Sequence, residues 1–155
     1  MVAEIKIRRD DLSDGCAISL LQAHRQEMLK HSPAESVHAL DIDAIPSASL
    51  LFWSAIVNGS IVGCGALKHL DDTHAELKSM KVSDAFVGYG VGRALLTHLL
   101  LEAKDRGYKR LSLETGTMPV FIPARSLYES VGFVPCAPFD GYFYDPNSLC
   151  MSLEI

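Results

Sequence analysis

Positive charge is in short supply: 14 Lys and Arg stand against 19 Asp and Glu, a formal net charge of -5. That balance argues against broad electrostatic binding to nucleic acid or anionic membrane, although a local basic patch around a phosphate ligand is compatible with it. Cysteine is also sparse. Cys16, Cys64, Cys136 and Cys150 form no C-x-x-C pair and have no histidine at metal-finger spacing, so no metal site is expected and the thiols read as reduced. No apolar segment is long enough to span a bilayer, and Met1 to Asp10 alternates apolar and charged residues where a secretory signal would have a basic start and an apolar run. The expectation is a cytoplasmic protein with neither a membrane nor a nucleic-acid partner. Internal repeats, charge blocks and low-complexity stretches are absent too. What is there, 155 residues of which 48% are hydrophobic and 21% charged, fits one globular domain over residues 1–155.

Val2, Ile5 and Ile7, with Lys6 and Arg8 between, predict an opening strand ending at Asp10-Asp11. Ser13 can cap a helix whose buried face carries Ala17, Leu20, Leu21, His24 and Met28 and which runs to about Lys30. From His31 to Ser49 the pattern lapses into a partly helical loop, where His38, Asp41 and Asp43 either meet a substrate or form a solvated connection. Leu50–Val57 and Ser60–Leu67 are strands joined by Asn58-Gly59, the dipeptide of a tight hairpin. Gly63 and Gly65 thin the second strand, marking close packing or a bulge. His74–Val82 is the next strand.

After it, Val87-Gly88-Tyr89-Gly90-Val91-Gly92-Arg93-Ala94 turns into a helix marked by Leu95, Leu96, Leu99, Leu100 and Ala103 and closed by Gly107. Lys109 to Thr115 alternates as a strand; Pro123 opens a short helix with Ala124, Leu127, Tyr128 and Val131 on one face. Phe133 and Val134 are extended, and Cys150 to Leu153 is a last strand. The order predicts a mixed α+β or α/β three-layer fold around one central sheet.

Three alternate glycines at the start of a helix make an anion site, because backbone N–H groups and the positive end of the dipole can approach a ligand with no Cβ between. Phosphates are the natural occupants. A Walker loop needs Lys and a hydroxyl residue after its last glycine, and Arg93 and Ala94 follow Gly92 here. The dinucleotide fingerprint G-x-G-x-x-G is missed as well, and Tyr108, about twenty positions on, is no ribose acid.

A pyrophosphate cradle on a strand-loop-helix unit, followed one strand later by A-R-S-L-Y-E-S-V-G-F, resembles the GNAT superfamily of acetyl-CoA-dependent N-acetyltransferases, most closely over Glu76 to Phe133. The runs L-E-T-G, F-I-P-A-R-S-L-Y-E-S-V-G-F and P-F-D-G-Y-F-Y-D-P-N-S look like a group of small bacterial members. The resemblance implies a mixed, mostly antiparallel sheet flanked by helices, acetyl-CoA as donor, an amine acceptor, and a homodimer that the final strand could support. Two positions depart from the family: Val87 where its loop has Arg or Gln, and Phe121 where many members have Asn.

By the same resemblance Met80, Lys81 and Val82 hold the pantetheine arm like an added strand, with the Met80 N–H polarising the thioester carbonyl. Gly88, Tyr89, Gly90, Val91, Gly92 and Arg93 take the phosphates, joined by Lys81 and Arg125 unless these are surface cations. Tyr128 donates a proton to the leaving sulfur, or is a core aromatic. A base must deprotonate the ammonium: Glu76, placed by strand alternation on the side of Met80 and Val82, then Glu114; the alternative is a structural ion pair such as Glu76 with Lys78. Asp140, Tyr142, Tyr144, Asp145 and Asn147 shape an acceptor pocket or only a turn. Direct transfer needs no cysteine nucleophile. An acyl-CoA-binding module with little catalysis is the second reading, motivated by Val87 and Phe121.

Overall fold

A computed structural model describes residues 4–11, 15–31 and 49–155, the side chains of His24 and His31 excepted. His38, Asp41, Asp43 and the capping Ser13 lie outside the described residues. The strands are β1 (Lys6–Asp10), β2 (Leu50–Val57), β3 (Ser60–Asp71), β4 (His74–Val82), β5 (Arg110–Gly116), β6 (Val134–Pro135) and β7 (Ser148–Glu154). They form one seven-stranded sheet in the order β1-β2-β3-β4-β5-β7-β6. Neighbours are antiparallel except β4 and β5, which are parallel. Helices α1 (Cys16–His31), α2 (Val91–Asp105) and α3 (Ile122–Ser130) flank it, giving the mixed, mostly antiparallel architecture that was expected.

Local chemistry explains the connections. Asn58 and Gly59 take φ of 51° and 80°, the left-handed pair that a two-residue hairpin needs. Strand β3 extends past Leu67 to Asp71 because Lys68 and His69 find antiparallel partners in Glu76 and Ala75. Among the described residues, no helix is long and apolar enough to cross a membrane.

Strand alternation sorts the apolar residues onto two faces. Phe52, Cys64 and Ala66 pack with Ala17 and Leu21 of α1. On the other face Trp53, Leu67, Leu77, Leu111 and Leu113 pack with Leu96 and Leu99 of α2 and Tyr128 of α3. Helix α2 comes close because Gly65 has no side chain: a Cβ there would lie 2.7 Å from Leu99 Cδ1. Close packing thus accounts for Gly65, and a bulge lies beside Gly63, where the register with β2 jumps from Ala55↔Gly63 to Ile56↔Ile61.

A bulge in β4 changes the site. Its register with β3 jumps from Ala66↔Lys78 to Cys64↔Lys81, and Ser79 has a φ of 56°. Leu77 and Met80 therefore share the α2 face, whereas Glu76 meets Lys78 and Tyr142 on the other. The expectation that Glu76 shares a side with Met80 and Val82 is corrected: simple alternation fails across one extra residue.

Candidate active site

Pairing between β4 and β5 stops early. It covers His74↔Arg110, Ala75↔Leu111 and Glu76↔Ser112, while β4 runs on to Val82 and β5 to Gly116. The bulge bends β4 away, and a slot opens between Leu77–Met80 and Leu113–Thr115. A cavity of about 100 Å³ fills this slot, with Glu76, Glu114, Tyr128 and Tyr142 in its wall. A second cavity of about 570 Å³ lies along Met80–Val82, the glycine turn and the start of α3. Met28, Met80, Phe121, Ala124 and Tyr128 line both, so the two cavities meet there.

The larger cavity has the features of an anion cradle. Gly88 and Gly90 take φ of 87° and 84°, which residues with a Cβ adopt only under strain. Gly90 caps α2, and the first helical hydrogen bond, Ala94 N–H to Gly90 C=O at 3.0 Å, leaves the preceding amides to the cavity. Lys81 and Arg93 add positive charge at its wall. Lys81 pairs with Asp84 at 3.6 Å, and Arg93 donates to Ser130 Oγ at 3.3 Å. Beyond Glu76 no described strand pairs with the β5-side edge of β4, so Met80–Val82 present an edge that an extended ligand can join. A phosphorylated, amide-containing chain fits these residues.

At the other end of the slot, Glu76 is 1% exposed. Its Oε2 accepts from the Tyr142 hydroxyl at 2.6 Å and from Lys78 Nζ at 3.5 Å, and Lys78 Nζ also donates to the Tyr142 oxygen at 2.9 Å. Oε1 is buried with no hydrogen-bond partner among the described residues. Burial, and then the Glu76 carboxylate, push the Tyr142 phenol far up, so it stays a donor. Glu114 stands on the same face of the neighbouring strand. Burial raises its carboxyl to about 7, opposed by the hydrogen bond from Ser148 Oγ and by Lys78; that bond is 2.8 Å long.

Tyr128 reaches the slot from α3 on the opposite face of the sheet. It is 9% exposed, stacks edge-on against Phe133 with centroids 5.9 Å apart, and is pushed up to about 12, first by burial and then by Glu114. The slot thus has carboxylates on one face and a protonated phenol on the other.

Most of the expected residues come together. Glu76, Glu114 and Tyr128 line the slot, and Met80, Lys81, Val82, Gly88, Gly90, Val91, Gly92 and Arg93 line the larger cavity. Of the tail residues expected to shape an acceptor pocket or a turn, Tyr142 alone lines the slot, while Tyr144 is 83% exposed and the Asn147 N–H donates to Asp145 Oδ1 at 2.8 Å in a turn. Two of the expected donor-side residues stand apart. Tyr89 is 68% exposed and leans on Phe86, with ring centroids 6.0 Å apart, outside the cavity wall. Arg125 turns inward and donates to the carbonyls of Gly116 and Thr117 at 3.3 and 3.0 Å, bracing the chain between β5 and α3. The expected Glu76–Lys78 pair exists, yet it engages only one carboxylate oxygen.

Sequence reasoning did not find Met28, Ser79 or Ser148. Met28 had a signal, since it closes the helical face of α1; Ser79 and Ser148 had none. The loop from Cys136 to Asn147 carries Tyr142 to Glu76. It is pinned by Lys68 to Asp140 at 3.0 Å and by Thr117 Oγ1 to the Pro146 carbonyl at 2.7 Å.

Residues 17–133 match the acetyltransferase (GNAT) family. The chain is 46% identical over 149 residues to the Bacillus subtilis (strain 168) protein named uncharacterized N-acetyltransferase YsnE, covering 96% of this chain and 99% of that one. It is 42% identical to Escherichia coli (strain K12) YedL, also named an uncharacterized N-acetyltransferase, over 96% and 94% of the two chains. Among solved structures, a Klebsiella pneumoniae protein assigned as an acyl-CoA N-acyltransferase superimposes with a TM-score of 0.81 at 25% identity, over 97% of each chain. A GNAT family acetyltransferase from Elizabethkingia anophelis with acetyl-CoA bound has the same fold, with a TM-score of 0.71 at 20% identity, over 97% of this chain and 98% of that one.

Proposed function

The chain belongs to the acetyltransferase (GNAT) family and moves an acetyl group from acetyl-CoA to an amine, and on that premise we propose that transfer takes place in the slot between β4 and β5, donor and acceptor entering from opposite faces of the sheet. The carrying observation is Glu76 Oε1. A buried carboxylate oxygen without a partner costs several kcal/mol in desolvation unless a ligand satisfies it. A cationic amine in the slot does so.

Tyr142 and Lys78 occupy Oε2, so the proton leaves the amine toward Oε1 of Glu76. Glu114, at about 7, is a second proton station and sets the charge of the slot near neutral pH. On the donor side, Gly88, Gly90 and the N-terminus of α2 hold phosphates, with Lys81 and Arg93 beside them. Met80–Val82 align the thioester arm, and the Met80 amide faces the carbonyl whose oxygen gains charge. Tyr128 stays protonated and hydrogen-bonds the departing sulfur. No cysteine lines either cavity among the described residues, in keeping with direct transfer.

Thiol release from acetyl-CoA over a panel of amines and amino acids tests this reading. Glu76→Gln should lower kcat by about 100-fold, the range of a lost acid–base group. Tyr128→Phe should cost less, about tenfold, because a thiolate leaves readily without first being protonated. If both variants turn over like the native chain with a true acceptor, these roles are wrong. Tight acetyl-CoA binding with no thiol release on any amine would instead favour the binding module.

A further inference from the structure

Phe121 is the bulkiest apolar side chain shared by the two cavities, and one side of its half-buried ring rests on backbone. It lies on the backbone of Gly116: a Cβ built there would come 2.9 Å from Phe121 Cγ and closer still to Cδ2 and Cε2. The seat itself is braced. Arg125 Nη1 donates to the Gly116 and Thr117 carbonyls at 3.3 and 3.0 Å. Thr117 Oγ1 donates to Pro146 at 2.7 Å, and the Phe121 N–H donates to Met118 at 3.0 Å.

We propose that Phe121, seated on Gly116, is the specificity-determining residue that limits the donor to a short acyl group. This rests on the reading that the thioester lies in the larger cavity and the amine in the slot. An acyl group passing between them must lie among the shared residues Met28, Met80, Phe121, Ala124 and Tyr128. Met28 and Met80 are unbranched and can give way. The ring is stiffer and cannot move toward Gly116, whose backbone lies against it. A longer chain turned the other way enters the slot, where its methylenes face the buried, unpartnered Glu76 Oε1 and take the place of the polar group that would satisfy it. Both directions penalise added methylenes, and an acetyl group avoids both.

Calorimetric titration with CoA, acetyl-CoA and butyryl-CoA tests this without an acceptor. The native chain should bind acetyl-CoA about tenfold or more tightly than butyryl-CoA, the range for methylenes that a pocket must reject. Phe121→Ala should narrow that ratio to about threefold or less by improving butyryl-CoA relative to CoA, and Phe121→Leu should move it part of the way. Gly116→Ala drives the ring into the junction and should weaken acetyl-CoA about tenfold relative to CoA; adding Phe121→Ala should restore it. Equal affinity for the two thioesters in the native chain, or a ratio unmoved in Phe121→Ala, overturns the proposal while the donor cavity stands. If CoA and both thioesters fail to bind the native chain, the donor-cavity reading falls and this proposal with it.

Discussion

Glu76 and Glu114 stand on neighbouring strands and face one slot, yet their surroundings differ. Glu76 has a phenol and an ammonium on one oxygen, whereas Glu114 has a single hydroxyl, from Ser148. The second arrangement has a pH signature. Burial lifts Glu114 from 4.5 to about 7, so between these values the folded chain keeps a proton that the unfolded chain has released. Stability must therefore fall as pH rises through that window and level off above it. Thermal melts of the native chain and Glu114→Gln should diverge across the window, the variant losing this decline. Activity moves the opposite way: an ionised Glu114 favours a cationic amine, so kcat/KM should rise through pH 7 with a limb that Glu114→Gln flattens. Tyr142→Phe keeps the ring against Phe139 but removes the hydroxyl that fixes Oε2. It should raise the acceptor KM and lower kcat, about tenfold in kcat/KM, with the acetyl-CoA KM unchanged.

The elements differ in how much of them a sequence can disclose. Helix α2, the glycine turn and the Asn58-Gly59 hairpin were legible because their signals are local: Leu95, Leu96 and Leu99 repeat at helical spacing, and glycines sit where φ must be positive. Val87, 63% exposed on the cavity rim, is the one weak point of the cradle that the sequence also exposed. Val87→Arg should tighten acetyl-CoA about threefold to fivefold in calorimetry, the scale of an exposed ion pair, with the gain fading as salt rises. The slot was not legible. Its width comes from a bulge at Ser79, and nothing about serine marks a positive φ. Alternation across that residue placed Glu76 on the wrong face. The bond from Tyr142 joins positions 66 apart in the chain, and the brace from Arg125 turns on which way one side chain points. Spacing carries neither.

At the scale of the molecule, the parallel β4–β5 pair is the break in an otherwise antiparallel sheet, and the slot proposed for the chemistry opens where that pair comes apart. Helices α2 and α3 build the donor side, while the loop before β7 carries Tyr142 to the carboxylate side. A ligand bridging α2, α3 and β4 should stabilise the whole fold. Acetyl-CoA at about 100 times its Kd should add about 2.7 kcal/mol and raise Tm by roughly 5–10 °C for a chain of this size, readable by scanning calorimetry. Whether Glu76 takes the amine proton is decided by single-turnover acetyl transfer from acetyl-CoA to an amine acceptor, comparing the native chain with Glu76→Gln at matched acetyl-CoA saturation. The variant should react about 100-fold more slowly with acetyl-CoA affinity unaltered; transfer at the native rate would show that Glu76 is not the base.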